Sequence, residues 1–221
     1  MVGEGAGILR LRRLDDALNN GEKILGVIRG WGLSTDRSGG LLAPSGEGQV
    51  RAMQKAYQHA GWSPSDVDYI ECHATGTPVG DATELNSLQK LWHDQTWQQG
   101  QCALGSIKSS IGHTLTAAGS AGLIKVLLAM RNGEIPPLPD QREAPGEFPM
   151  ASSPFRIPES AEPWLQQSGR PRRSAVSAFG FGGINAHLLV EEFHSKSATS
   201  AIEVSSPPVT ENSPIAIVGY G

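Results

Sequence analysis

Residues Gly105-Ser106-Ile107-Lys108-Ser109-Ser110-Ile111-Gly112-His113-Thr114 run without a break into Leu115-Thr116-Ala117-Ala118-Gly119-Ser120-Ala121-Gly122-Leu123-Ile124. The second of these stretches is mostly small residues, whereas Ile124, Val126, Leu127, Leu128 and Met130 supply apolar bulk. Small residues stabilise a helix chiefly by letting other backbone approach it closely, so the pattern predicts a buried helix entered through a loop. That loop delivers a lysine and a histidine to the helix start, which makes a site more economical than a surface. Lys125, inside the apolar run, reads as a snorkelling side chain. Taken alone, His113 fits a satisfied core histidine equally well.

A second stretch, Glu71-Cys72-His73-Ala74-Thr75-Gly76-Thr77-Pro78-Val79-Gly80-Asp81, follows the β-like run Val67-Asp68-Tyr69-Ile70. His73 thus sits where a strand gives way to a Thr/Gly/Pro loop, the usual position of reactive groups in α/β architectures. A third, Phe179-Gly180-Phe181-Gly182-Gly183-Ile184-Asn185-Ala186-His187, lies between two strand-like runs and reads as a glycine-rich hairpin turn. In this order the three motifs resemble those of the β-ketoacyl synthases, the condensing enzymes of fatty-acid and polyketide assembly. The resemblance runs from Gly3 to about Phe193 and covers the C-terminal half of that domain.

The resemblance implies an α/β fold, the C-terminal half of a thiolase-like fold with a mixed β-sheet layered with helices. It implies decarboxylative Claisen condensation of malonyl and acyl thioesters carried on the phosphopantetheine of an acyl carrier protein, with no cofactor bound directly. His73 and His113 then flank the malonyl thioester carbonyl, and Lys108 acts on His113. Thr75 and Thr77 hold the pantetheine arm. Phe181 is the gating residue of an oxyanion loop, with Gly180 and Gly182 supplying its flexibility. Some synthases carry a glutamate nine residues after this histidine; here that position is Gly122, so a carboxylate partner for Lys108 has to come from elsewhere. The alternative is a noncatalytic subunit of the chain-length-factor type that pairs with an active partner, although such partners commonly lose the histidines retained here.

No metal is implied: Cys72, His73, Cys102 and His113 lack short ligand spacings, and Lys108 would repel a cation. Cys72 and Cys102 read as buried free thiols. Cys72 precedes His73 on a strand and points to the opposite face, and Cys102 is remote from a helix start, so neither matches the family nucleophile. A condensing site is therefore expected to need the N-terminal half of the domain, and this chain alone is expected to be inactive.

The opening Gly3-Glu4-Gly5-Ala6-Gly7 precedes a strand instead of following one, which argues against a dinucleotide fingerprint. Helices are expected at 46–60, with Val50, Met53, Ala56 and Tyr57 inward, and from Asp81, with Leu85, Leu88, Leu91 and Trp92 inward. Asp81 and Glu84 are assigned to the dipole of that second helix. From Arg131 to Arg173 prolines forbid long elements, with Leu138, Phe148, Phe155, Ile157 and Trp164 as anchors. Residues 1–193 are thus read as the synthase half, 194–213 as a Ser/Thr/Pro-rich linker, and 214–221 as the start of a following synthase-like or chain-length-factor-like domain. A net charge of −4 leaves no basic footprint for nucleic acid or a membrane surface. With no spanning or signal segment either, a soluble cytoplasmic chain, homodimeric or heterodimeric, is expected.

Overall fold

The computed structural model describes residues 2–36, 44–138, 148–167, 169–180, 182–194 and 214–220. In chain order the elements are β1 (Leu9–Arg13), α1 (Leu14–Asn19), β2 (Gly26–Thr35), α2 (Gly46–Ala60), β3 (Tyr69–Glu71), α3 (Pro78–Trp92), β4 (Cys102–Gly105) and the short α4 (Lys108–Ile111). They continue with α5 (Ala118–Asn132), β5 (Glu134–Ile135), β6 (Phe155–Arg156), β7 (Glu162–Pro163), β8 (Arg173–Gly180), β9 (Ile184–Glu191) and β10 (Ile215–Tyr220).

Among the described residues, eight strands form one mixed sheet in the order β1-β10-β2-β9-β8-β3-β4-β6. The hairpin expected from the third motif is β8 and β9, antiparallel from Arg173 opposite Glu191 to Gly180 opposite Ile184. The strands β8, β3, β4 and β6 are parallel to one another. Alternation along β3 sorts its side chains between two apolar layers. Ile70 and Cys72 join Met53, Tyr57, Leu88 and Trp92 of α2 and α3 on one face. Tyr69 faces the other way and packs with Leu123, Val126, Leu127 and Met130 of α5. The sheet is therefore covered by helices on both faces, as the layered α/β reading requires.

Helix α2 lies directly on β2, and glycine allows it. A methyl group at Gly32 would overlap the carbonyl oxygen of Ala52, and one at Gly30 the carbonyl oxygen of Ala56. In the proline-rich excursion Phe155 and Trp164 are buried, and Phe148 and Ile157 pack at the edge of a core layer, so four of the five anchors read from sequence pack on the body. Among the described residues no helix is long and apolar enough to cross a membrane.

The C-terminal segment finds partners in this sheet, and one expectation, that for Lys125, is corrected. The segment assigned to a following domain is strand β10 of this same sheet, antiparallel to both β1 and β2, with Ala216 and Ile217 buried. An apolar strand that satisfies two ladders at once gains more than one left unpaired. Lys125 does not snorkel: its ammonium pairs at 2.9 Å with the buried carboxylate of Glu71.

Candidate active site at the ends of three parallel strands

The parallel register brings the three motifs to one edge. Glu71 stands opposite Gly105 of β4 on one side and Val176 of β8 on the other. Two residues beyond that line lie His73, Ile107 and Ala178, so the His73 loop and the Lys108 turn leave the sheet beside the Phe179 end of β8, which stays paired with β9 to Gly180. Carboxyl ends of parallel strands are where α/β sheets place their sites.

His73 and His113 meet edge to face with ring centroids 5.5 Å apart, and the Phe179 ring lies 5.6 Å from His73 on another side. The His73 turn is held by Glu84 of α3, whose two carboxylate oxygens accept the His73 and Ala74 N–H groups at 2.8 Å each. Ala74 is held at φ 28°, in the left-handed region that a side chain disfavours. Glu84 is thus a clamp on the histidine loop and not a dipole partner of its own helix. Thr77 caps α3, its hydroxyl accepting the Gly80 N–H at 3.2 Å, and lies 3.1 Å from the Thr75 hydroxyl.

Lys108 opens α4, and the chain returns through Gly112 to His113, whose carbonyl accepts the Gly3 N–H at 3.0 Å. The Leu115 N–H donates to His113 Nδ1 at 3.0 Å, so Nδ1 is an acceptor and the proton of the neutral ring is on Nε2. His73 Nδ1 is buried and has no partner among the described residues. Burial, then Lys108, then His113 push His73 down to about 3. Burial and Lys108 also lower His113. Both rings are therefore neutral N–H donors at neutral pH. Burial lowers Lys108, and the negative charges of Glu84 and Glu71 oppose that shift. Burial raises Glu84 to about 7 against the pull of its two N–H donors.

Glu71 of β3 occupies the space beside position 122, where its carboxylate pairs with Lys125. A methyl group at Gly122 would sit 3.0 Å from Glu71 Cγ, so the glycine leaves room for that side chain. On the third motif, Phe181 lies outside the described residues. Gly182 and Gly183 have φ near 80°, and Asp36 braces the turn: its N–H donates to the Gly183 carbonyl at 2.8 Å and its carboxylate accepts from Asn185 Nδ2 at 2.8 Å. His187 is a core residue, its Nδ1 at 3.1 Å from the Ser177 hydroxyl and its ring pushed down to about 3 by burial. Cys72 and Cys102 are buried, and burial raises both thiols far above the range of a nucleophile.

A cleft of about 510 Å³ lies beyond the Lys108 turn, lined by Ile107, Ile111, Ala121, Ile124, Lys125 and Leu128 among others. Neither histidine lines it, and its walls are mostly apolar, so the chemistry belongs to the histidine pair. Sequence reasoning found His73, Lys108 and His113, gave Glu84 another role, and missed Glu71 and Asp36, which have partners far away along the chain. The one local signal was a carboxylate, Glu71, on an otherwise apolar strand.

A family model described as Beta-ketoacyl synthase, C-terminal domain, matches residues 25–141. The mycocerosic acid synthase-like polyketide synthase of Mycolicibacterium smegmatis is 40% identical over 205 residues, 92% of this chain and 10% of the relative. Polyketide synthase PksL of Bacillus subtilis is 40% identical over 192 residues, 86% of this chain and 4% of the relative. The solved ketosynthase from module 6 of the bacillaene synthase of Bacillus subtilis 168 superposes with a TM-score of 0.80 at 38% identity, over 83% of this chain and 34% of that one. The chain thus spans a tenth or less of these curated relatives and about a third of the solved structure.

Proposed function

Because the chain belongs to the β-ketoacyl synthase family, as its C-terminal domain, we propose that it contributes the malonyl-activating half of a condensing site in polyketide or fatty-acid assembly. The observation that carries this reading is the pair of neutral imidazoles 5.5 Å apart at a strand-end site. Decarboxylation breaks the bond between the malonyl α-carbon and its carboxylate, releases carbon dioxide and leaves the electron pair as an enolate. Developing charge on the thioester oxygen needs preorganised N–H donors in a site shielded from water. His113 offers Nε2–H, and His73 is the second donor. The enolate carbon then attacks an acyl thioester on a cysteine, forming the new carbon–carbon bond and expelling the thiolate.

That cysteine is assigned to the N-terminal half of the domain, since both thiols of this chain are buried and unreactive. Exposed apolar side chains flank the motifs in sequence: Val79, Ile111, Leu115 and Ile184. They suit a face covered by that half. The substrates arrive on the phosphopantetheine of an acyl carrier protein. Thr75 and Thr77 are the hydroxyls assigned to hold the arm, and the Thr77 oxygen also caps a helix. Phe181 keeps its assignment as the gating residue, and homodimeric assembly follows the family pattern. Both donor histidines are present and held neutral, which favours a condensing role over that of a noncatalytic chain-length-factor-like partner.

The test uses a complete ketosynthase domain carrying this sequence. Replacing His73 or His113 by Ala should slow malonyl-thioester decarboxylation by about 10²–10³ each, the usual scale for one oxyanion donor, while self-acylation of the cysteine persists. Unchanged decarboxylation in both variants overturns the assignment. The 221-residue chain alone is expected to condense nothing.

A further inference from the structure

Glu71 is the most fully engaged charged group near the site. It lies on β3 at 2% exposure, and three donors occupy its carboxylate. The Tyr69 hydroxyl and the Lys125 ammonium donate to Oε2 at 2.7 and 2.9 Å, and the Ile107 N–H donates to Oε1. Ile107 is the root of the Lys108 turn: its carbonyl accepts the Ser110 and Ile111 N–H groups, and the Lys108 carbonyl accepts the Gly112 N–H. The carboxylate therefore grips the turn one residue before the lysine, and five residues after that lysine comes His113.

We propose that Glu71 is a positioning residue for Lys108, fixing the turn from the α5-facing side of β3 and holding a negative charge beside it, with Lys125 and Tyr69 as counter-donors and Gly122 as the space that admits it. The assignment rests on the reading of Lys108 and His113 given above. Bare structural stabilisation is an inadequate account for two reasons. A buried ion pair contributes little net stability relative to an apolar pair of similar volume. Its third donor is also the backbone of the site turn and not a core element. The groups facing Lys108 are Glu84 and Asp81 from α3, Glu71 and Cys72 from β3, and the imidazoles of His73 and His113. Glu71 favours the ammonium form, so its removal lets Lys108 lose its proton at a lower pH.

Three variants of the complete ketosynthase domain test this, with decarboxylation and cysteine self-acylation measured across pH. Glu71→Gln keeps the shape and an acceptor for Ile107 but removes the charge. Its alkaline limb should move to lower pH, with kcat falling about tenfold on that side while KM stays within about twofold, the signature of a misheld group and not of lost binding. Glu71→Ala should be slower at every pH. The exchange Glu71→Ala with Gly122→Glu returns a carboxylate to the same space from helix α5 and should recover most of the rate. An unmoved alkaline limb in Glu71→Gln overturns the proposal, and so does a folded exchange variant no faster than Glu71→Ala. If the exchange variant fails to fold, the pH profile of Glu71→Gln decides alone. His113→Ala serves as the control: if it leaves decarboxylation intact, the reading of the site fails and not the placement of Glu71.

Discussion

The Leu115 N–H points at Nδ1 of His113 from 3.0 Å, and this bond decides which ring nitrogen can serve the reaction. Leu115 adopts φ 52° to make it, a conformation that costs a side-chain-bearing residue on the order of 1 kcal/mol and persists where surroundings impose it. With Nδ1 occupied as an acceptor, the donor is Nε2–H. An amide tests this directly, because the nitrogen of glutamine reaches the Nε2 position and that of asparagine reaches only Nδ1. His113→Gln is expected to decarboxylate malonyl thioester about tenfold faster than His113→Asn, within the range of a single donor hydrogen bond. Equal rates would mean that the reacting nitrogen is not Nε2.

Burial is the leading cause of the neutrality of both histidines, and Lys108 is the second. The resemblance assigned Lys108 to act on His113, and its charge adds to a neutrality that burial already sets. His73 should therefore add no acid limb near the ordinary imidazole value of 6.5, because it takes a proton only near pH 3, and any limb from His113 should lie below 6.5. In Lys108→Ala both imidazole pKa values rise, but only part of the way, since burial remains. The rate should fall and a weak acid limb appear, while KM for the carrier-borne substrate stays nearly constant. Loss of carrier affinity with normal turnover at saturation would identify Lys108 as a contact for the phosphopantetheine phosphate instead.

The fold was legible wherever one local rule sufficed. Alternation marked β8 and β9, the helical period marked α2, and apolar bulk after a small-residue stretch marked α5. The joining of His73 to His113 was legible only through the family resemblance, because nothing local says that β3 and β4 are parallel neighbours with Glu71 opposite Gly105. The charged groups were legible only as oddities, a carboxylate on an apolar strand and a lysine in an apolar helix, and their pairing was not legible. Glu71 and Lys125 are 54 residues apart, and each taken alone fits a surface role. Strand β10 shows the same limit: nothing local in residues 214–221 says that they pair with β1 and β2.

Glu84 makes a prediction of opposite sign to that of a common surface acid. Its folded pKa is raised from 4.5 to about 7 by burial, so the folded state prefers the protonated carboxyl. The contribution to stability is therefore fully present below about pH 4.5 and is lost as pH rises through about 7. Relative to Glu84→Gln, which does not titrate, the wild-type domain should lose about 3 kcal/mol across that window, since each pH unit between the unfolded and folded values contributes about 1.4 kcal/mol. Chemical denaturation of both proteins at several pH values measures the difference. A constant difference, or one that grows in favour of the wild type with pH, excludes a raised carboxyl. Glu84→Ala leaves the His73 and Ala74 N–H groups without acceptors and should be destabilised at every pH.

The last expectation concerns the contact that sets α2 on the sheet. At Gly32 of β2 an added methyl group meets the carbonyl oxygen of Ala52, a backbone atom that no rotamer change can move. The helix has to shift or the strand has to bend, and either opens the layer that buries Met53, Ala56 and Tyr57. Gly32→Ala should therefore destabilise the complete domain by about 3 kcal/mol or more, above the usual range for overpacking by one methyl group. The obvious suppressor should fail: Ala52→Gly removes a side chain but leaves the offending carbonyl in place. Thermal or denaturant unfolding of the single and double variants reads both outcomes. Recovery in the double variant would show that the Ala52 methyl, and not its backbone, limits the approach of α2 to β2.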